Sequence, residues 1–221
     1  MLTISEMEKE LVQNGEMETA TFGMGCFWGP EARFGSLQGV IRTRVGYAGG
    51  TTVAPTYKTI GDHTETVEID YDPKIISYEE ILLHFWRNHY PNRDQYKGQQ
   101  YISSLRYRTD EQKQMIIQVR YEMEKELGEQ IETEVTKLER FTLAESRHQK
   151  YYLKRYPNVL EQLDPLYASE ESLIGSTFAA RLNGFVKGFS TRDQILTEIE
   201  SWPLHENARQ HLIRHFLKIK W

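Results

Sequence analysis

The stretch MGCFWGPEAR, Met24 to Arg33, holds Cys26, the only cysteine among 221 residues. The thiol stands between Gly25 and the aromatic pair Phe27 and Trp28, with Gly29 and Pro30 following. A core cysteine behaves as a small buried hydrophobe, for which glycine and proline are poor company, so the stretch reads as a turn that presents a reactive atom. The reactive form of a cysteine is the thiolate, and it is favoured just ahead of a helix, where backbone N–H groups and the helix dipole attract negative charge. Pro30 suits the first position of a helix, which puts Cys26 at a strand-to-helix turn. A second candidate is Glu65 in TETVEIDYDP. Strand alternation places Glu65, Val67, Ile69 and Tyr71 on one face and Thr64, Thr66, Glu68 and Asp70 on the other. Glu65 is therefore the acid of this strand expected to be drawn inward, and burial raises the pKa of a carboxyl group.

Composition narrows the chemistry further. The formal charge of −5 argues against a general nucleic-acid binder, and the short basic ending HFLKIKW is too small to change that. No window approaches the ~18 to 20 apolar residues of a membrane span. The opening MLTISEMEKELVQNGEME has acids where a signal peptide needs an apolar run, so the chain reads as cytoplasmic with no membrane association. A single cysteine excludes an internal disulfide framework. With 39% hydrophobic and 27% charged residues, the composition is that of an ordinary globular protein.

The elements that must position these residues can be read from periodicity and caps. Residues 3 to 14 follow a helical pattern closed by Gly15, and ETATFGMG suits a strand broken by Gly23 and Gly25. A helix opened by Pro30 is expected to run to Gly39, and VIRTRVGYAGG to form a second strand ending in a glycine turn. TETVEIDYDP is the third strand. Ser77 with Glu80 makes a capping box ahead of Ile81, Leu82, Phe85 and Trp86. After a loop and the short strand ISSLRY, Thr109 caps a long helix that Gly128 closes. ETEVTKLERFTLA alternates as one strand, and ESRHQKYYLKR reads as helix. Beyond Pro157 the pattern is helical throughout. The expected architecture is an α/β domain over 16–157 with a helical C-terminal extension over 158–221.

Five motifs, in order, carry a resemblance: GCFWG, VGYAGG, PTYKTIGDHTETVEIDYDP, GQQYISSLRY and AESRHQKYYLKRYP. Through about residues 20 to 156 the chain resembles the type A peptide-methionine sulfoxide reductases. The resemblance implies a ferredoxin-like two-layer α/β sandwich. It also implies an oxidoreductase that reduces the S epimer of methionine sulfoxide, free or in proteins, as part of protein repair under oxidative stress.

The matching residues have independent physical readings. A sulfoxide presents a methyl group on one side and a polar S–O on the other, so its site needs an apolar pocket beside hydrogen-bond donors. Phe27 and Trp28 can supply the pocket. Attack of the Cys26 thiolate on the sulfoxide sulfur pushes charge onto oxygen, and Glu65, which falls on the family's catalytic glutamate, is the candidate proton donor. Tyr57 and Tyr101 fall where the family keeps two tyrosines that hydrogen-bond the sulfoxide oxygen, and a phenol donates without carrying charge.

Two departures stand out. The family's aspartate five residues before the second tyrosine is replaced by Tyr96 in RDQYKGQQY, and Asp94 is the residue that could substitute for it. The C-terminal resolving cysteines of many relatives are absent, so a Cys26 sulfenic acid must be reduced by an external thiol, a thioredoxin, glutaredoxin or small thiol, with no other cofactor implied. These departures also motivate an alternative, a non-catalytic module that binds oxidised methionine. A cysteine hydrolase would need His63 as base, with nothing else to complete a triad. His211 and His215 have the i, i+4 spacing that can hold zinc, with His205 nearby, but no third ligand motif accompanies them, and no metal is expected.

Overall fold

In a computed structural model, which describes residues 17–92 and 98–221, strand β1 (Glu18–Met24) lies inside a six-stranded sheet of order β5-β4-β1-β3-β2-β6. The other strands are β2 (Val40–Ala48), β3 (Thr64–Tyr71), β4 (Ser103–Tyr107), β5 (Glu134–Lys137) and β6 (Phe141–Leu143). All pairings are antiparallel except β4 with β5. The helix expected over 3 to 14 lies outside the described residues.

The two faces of the sheet differ in chemistry. Ala20, Phe22 and Met24 of β1, Val67, Ile69 and Tyr71 of β3 and Leu105 of β4 form one apolar cluster with residues of the helices described next. Helix α2 (Tyr78–Arg87) contributes Ile81, Leu82, Phe85 and Trp86, and α3 (Asp110–Leu127) contributes Ile116, Val119 and Met123. Each fully buried side chain of this size stabilises the fold by about 1.5–3 kcal/mol. On the opposite face Arg44 pairs with Glu68 and Asp70, Thr21 donates to Glu68 at 3.2 Å, and Arg42 and Arg108 bond Asp70 and Glu68 respectively. Burial works against the Asp70 carboxylate, but Arg44, Arg42 and Thr19 together hold its pKa below the ordinary value. This polar face explains why all eight residues of β3 are buried despite its alternation.

The capping expectations hold. Ser77 and Glu80 form the capping box of α2, Thr109 caps α3, and Gly128 closes α3 in the left-handed region. Helix α1 (Trp28–Gly35) departs from expectation at both ends. Phe27 is its N-cap and Trp28 its first residue, so Pro30 sits third, where the missing N–H costs nothing because no helical partner exists for it. Ser36 ends the helix, and Gly39, at φ 91°, turns the chain into β2.

Two further expectations are corrected. The stretch 132–144 is two strands, not one: β5 joins β4 at one edge, and β6 joins β2 at the other. The segment 145–155 is two 3₁₀ turns, Ser146–His148 and Leu153–Arg155, around a kink at Lys150 with φ 51°. Helix is given up there because the side chains take backbone partners in β2 instead. Gln149 bonds both the N–H and the C=O of Val45, at 2.9 and 2.8 Å. Lys150 Nζ donates to Thr43 O at 2.6 Å and pairs with Glu31 at 2.9 Å, both partners fully buried.

The rest of the chain is helical: α4 (Pro157–Leu163), α5 (Glu170–Ile174), α6 (Thr177–Val186), α7 (Arg192–Ser201) and α8 (Glu206–Lys218). These helices close over their own apolar cluster, which includes Leu163, Phe178, Leu182, Ile199, Leu212 and Phe216. Helix α6 lies directly against α1. A Cβ on Gly35 would stand 2.8 Å from Ala180 O, and one on Gly184 2.7 Å from Ala32 O, so glycine permits the approach. Arg181, buried, clasps Gly35 O and Val40 O at 2.8 and 2.7 Å while pairing with Glu198 at 2.6 Å.

Candidate active site

The site forms where β1 gives way to α1. Gly25, at φ 85°, makes the turn that glycine adopts without strain, and Cys26 follows it, exposed, immediately before the N-cap. The first helical bond runs from Glu31 N–H to Phe27 O, so the N–H groups of residues ahead of it have no partner within the helix.

One of those groups is used. The Phe27 N–H donates to Glu65 Oε2 at 3.0 Å, which fastens the carboxyl group beside the peptide that links Cys26 to Phe27. Glu65 is 1% exposed. Burial pushes its pKa up, and the hydrogen bonds from Phe27 and Gln100 oppose that push only in part. Strand register explains the placement, since Glu65 lies opposite Tyr47 of β2 on the face turned toward α1.

The Tyr101 phenol is pushed up by burial, then by the charge of Glu65, and also by the neighbouring Tyr57. It therefore stays a protonated donor at neutral pH. Gln100 Nε2 donates to Glu65 Oε1 at 2.7 Å and to Tyr101 Oη at 3.1 Å. The sequence-predicted Cys26, Glu65, Tyr57 and Tyr101 thus converge. Asp94, and Tyr96 with it, lie outside the described residues.

An aromatic wall stands beside them. Trp28 stacks on Tyr151 with centroids 3.6 Å apart and planes parallel to 1°, and its Nε1–H donates to His148 Nδ1 at 3.2 Å. The His148 ring also packs against Phe27 and Tyr57 at 5.4 and 4.7 Å. Burial lowers the His148 pKa, which keeps the imidazole neutral and able to accept from Trp28. Phe27 is 1% exposed and forms the floor, whereas Trp28 is half-buried and offers accessible ring surface. Glu145 holds the Tyr57 loop in place, accepting from Tyr57 N–H at 3.1 Å and from the Tyr47 hydroxyl at 2.8 Å.

A model of the peptide methionine sulfoxide reductase family matches residues 18–174. The chain belongs to that family, a family of oxidoreductases. It is 42% identical over 198 residues to a peptide methionine sulfoxide reductase of Drosophila melanogaster, covering 89% of this chain and 79% of the relative. The enzyme of Pelagibacter ubique is 42% identical and matches over its whole length, covering 63% of this chain. Among solved structures, Mxr1 from Saccharomyces cerevisiae in reduced form superposes with a TM-score of 0.60 at 28% identity, covering 64% of this chain and 87% of that one. The mixed α/β sandwich expected from the sequence is the fold of these relatives.

Against the family pattern, Gln100, Glu145, His148 and Tyr151 are brought to the site without having been singled out by residue chemistry. Each lies within a motif that carries the resemblance, GQQY or AESRHQKYY, and that position was the available signal. His63 is not placed as a hydrolase base. Its Nδ1 accepts from Gly50 N–H at 3.2 Å and its Nε2 bonds Thr52 O at 2.8 Å, so both nitrogens serve the loop that carries Tyr57. His215 bonds Gln162 O at 2.9 Å, linking α8 to α4. Among the described residues no helix is long and apolar enough to cross a membrane.

Proposed function

We propose that this chain reduces the S epimer of methionine sulfoxide, free or in proteins, with Cys26 as nucleophile and Glu65 as proton donor. The observation that carries this reading is the 3.0 Å bond from Phe27 N–H to Glu65, which sets a buried, protonation-prone acid one peptide away from the sole thiol. Cys26 attacks the sulfoxide sulfur while Glu65 protonates the oxygen, with Tyr57 and Tyr101 donating hydrogen bonds to it. Trp28, backed by Phe27, receives the methyl group. Oxygen passes to the thiol, so the products are methionine and Cys26 sulfenic acid. An external thiol then condenses with the sulfenic acid to a mixed disulfide and water, and a second thiol releases Cys26 and leaves as the oxidised disulfide. A thioredoxin or glutaredoxin is the class of reductant this cycle needs. Residues 16–157 carry the chemistry in this reading, and the helices of 158–221 buttress the back of α1.

The test is incubation with both sulfoxide epimers and excess dithiol, followed by chiral analysis of what remains. Disappearance of the S epimer is expected, and consumption of the R epimer alone overturns the assignment. Cys26→Ser is expected to abolish reduction with the fold intact, because an alcohol at its ordinary pKa is a poor nucleophile and opens no sulfenate route. Binding of the S epimer without turnover by the unaltered chain would favour the alternative of a module that only holds oxidised methionine.

A further inference from the structure

Proton transfer from Glu65 leaves a carboxylate in a place that is 1% exposed. A charge there is costly unless donors already point at it. Two do. Oε2 has the Phe27 N–H at 3.0 Å, which belongs to the backbone, and Oε1 has Gln100 Nε2 at 2.7 Å. Gln100 is the only side chain in this pair, and it has a second hydrogen to place. That hydrogen goes to Tyr101 Oη at 3.1 Å. By taking up a lone pair of the phenol oxygen, it leaves the Tyr101 hydroxyl hydrogen for another acceptor, either Tyr57 or a bound oxygen.

We infer that Gln100 is a positioning residue of this site, an amide that receives the charge left on Glu65 and turns the Tyr101 hydroxyl toward the sulfoxide oxygen. The inference rests on the proposed roles of Glu65 and Tyr101. A primary amide of this length meets both demands without bringing a charge. Asparagine is one methylene short, glutamate brings no hydrogen to either partner, and methionine keeps the reach without any donor. The residue is half-buried at the rim of the site, so its replacement leaves the apolar clusters untouched.

The experiment follows single-turnover methionine formation against pH for the full chain and for Gln100→Met, Gln100→Glu, Glu65→Gln and the Glu65→Gln, Gln100→Met double variant, each shown by circular dichroism to be folded over the pH range used. Hydrogen bonds to charged groups are worth enough to predict that Gln100→Met loses about 10- to 100-fold in rate at neutral pH. The alkaline limb of the profile should also move to higher pH, because the carboxylate has lost a donor and the acid form persists further. Gln100→Glu should move it further still, since a second carboxylate beside Glu65 disfavours ionisation. In the Glu65→Gln background the Met substitution should cost less than it does in the unaltered chain, because the share acting through Glu65 is gone and only the share acting through Tyr101 remains. A loss equal in both backgrounds with the limb unmoved reduces Gln100 to a packing role and overturns the inference alone. If Glu65→Gln by itself loses less than about tenfold, the proton donor is another group, and the proposed role of Glu65 falls together with this inference.

Discussion

Glu65 carries two opposed consequences of burial. Its folded pKa is raised above the ordinary 4.5, chiefly by desolvation. As a proton donor it is active while protonated, so reduction should fall as pH rises through the raised value. For stability the sign is the same: a group with a raised folded pKa contributes fully below its unfolded pKa, and that contribution is lost as pH rises from there through the folded value. Glu65→Gln, which keeps the shape but has no proton to give, should therefore lose about 100- to 10,000-fold in the reductive step. The same variant should be more resistant to urea than the unaltered chain, with the difference larger at pH 8 than at pH 4. Urea unfolding of both chains at pH 4 and pH 8 that shows no such widening would mean that the carboxyl is not strained by its burial. Cys26 and Glu65 were legible in the sequence because turn chemistry and strand alternation are local. Gln100 and His148 were not, since the bonds that define them span 35 and 120 positions and follow from packing.

At the scale of elements, most strands and capped helices were legible because their signals lie within a few residues, as with Ser77 and Glu80 or Thr109 and Gly128. The misread segments are those whose backbone is held from a distance. The span 145–155 has helical periodicity, yet Glu31 and Gln149 hold it in an irregular path: Glu31 accepts Lys150 N–H at 2.8 Å and Lys150 Nζ at 2.9 Å. That path sets Glu145, His148 and Tyr151 against Tyr57 and Trp28, so the buried pair joins the two walls of the site. Burial lowers the Lys150 pKa while Glu31 works to keep it charged. Removing one partner strands the other, and Lys150→Met should cost about 3–5 kcal/mol in equilibrium urea unfolding. Adding Glu31→Gln should recover much of that loss, because an amide is far cheaper to bury than an unpaired carboxylate. A double variant no more stable than the single one would show that the pair stabilises through shape rather than charge.

The whole molecule holds a single thiol just ahead of a helix braced from behind. Helix α6 and Arg181 fix the back of α1, and the family match runs to residue 174, well into the helices that follow 157. The helical character of this region was legible from its periodicity. Its seating on α1 was not, because small residues such as Gly35 and Gly184 reveal a close approach only once their partners are known. In the proposed cycle Cys26 alone carries the oxidised state between half-reactions, since the 221 residues hold no second cysteine. Mixing the protein with excess sulfoxide and no thiol should yield one methionine per chain and leave Cys26 as sulfenic acid, seen as a mass increase of one oxygen and trapped by a sulfenate-specific reagent. Added thiol should restore turnover at a rate that rises with its concentration until another step limits, because capture of the sulfenic acid is a bimolecular encounter. Methionine accumulating well beyond one equivalent before any thiol is added would show that Cys26 regenerates by another route, and the single-cysteine cycle would have to be abandoned.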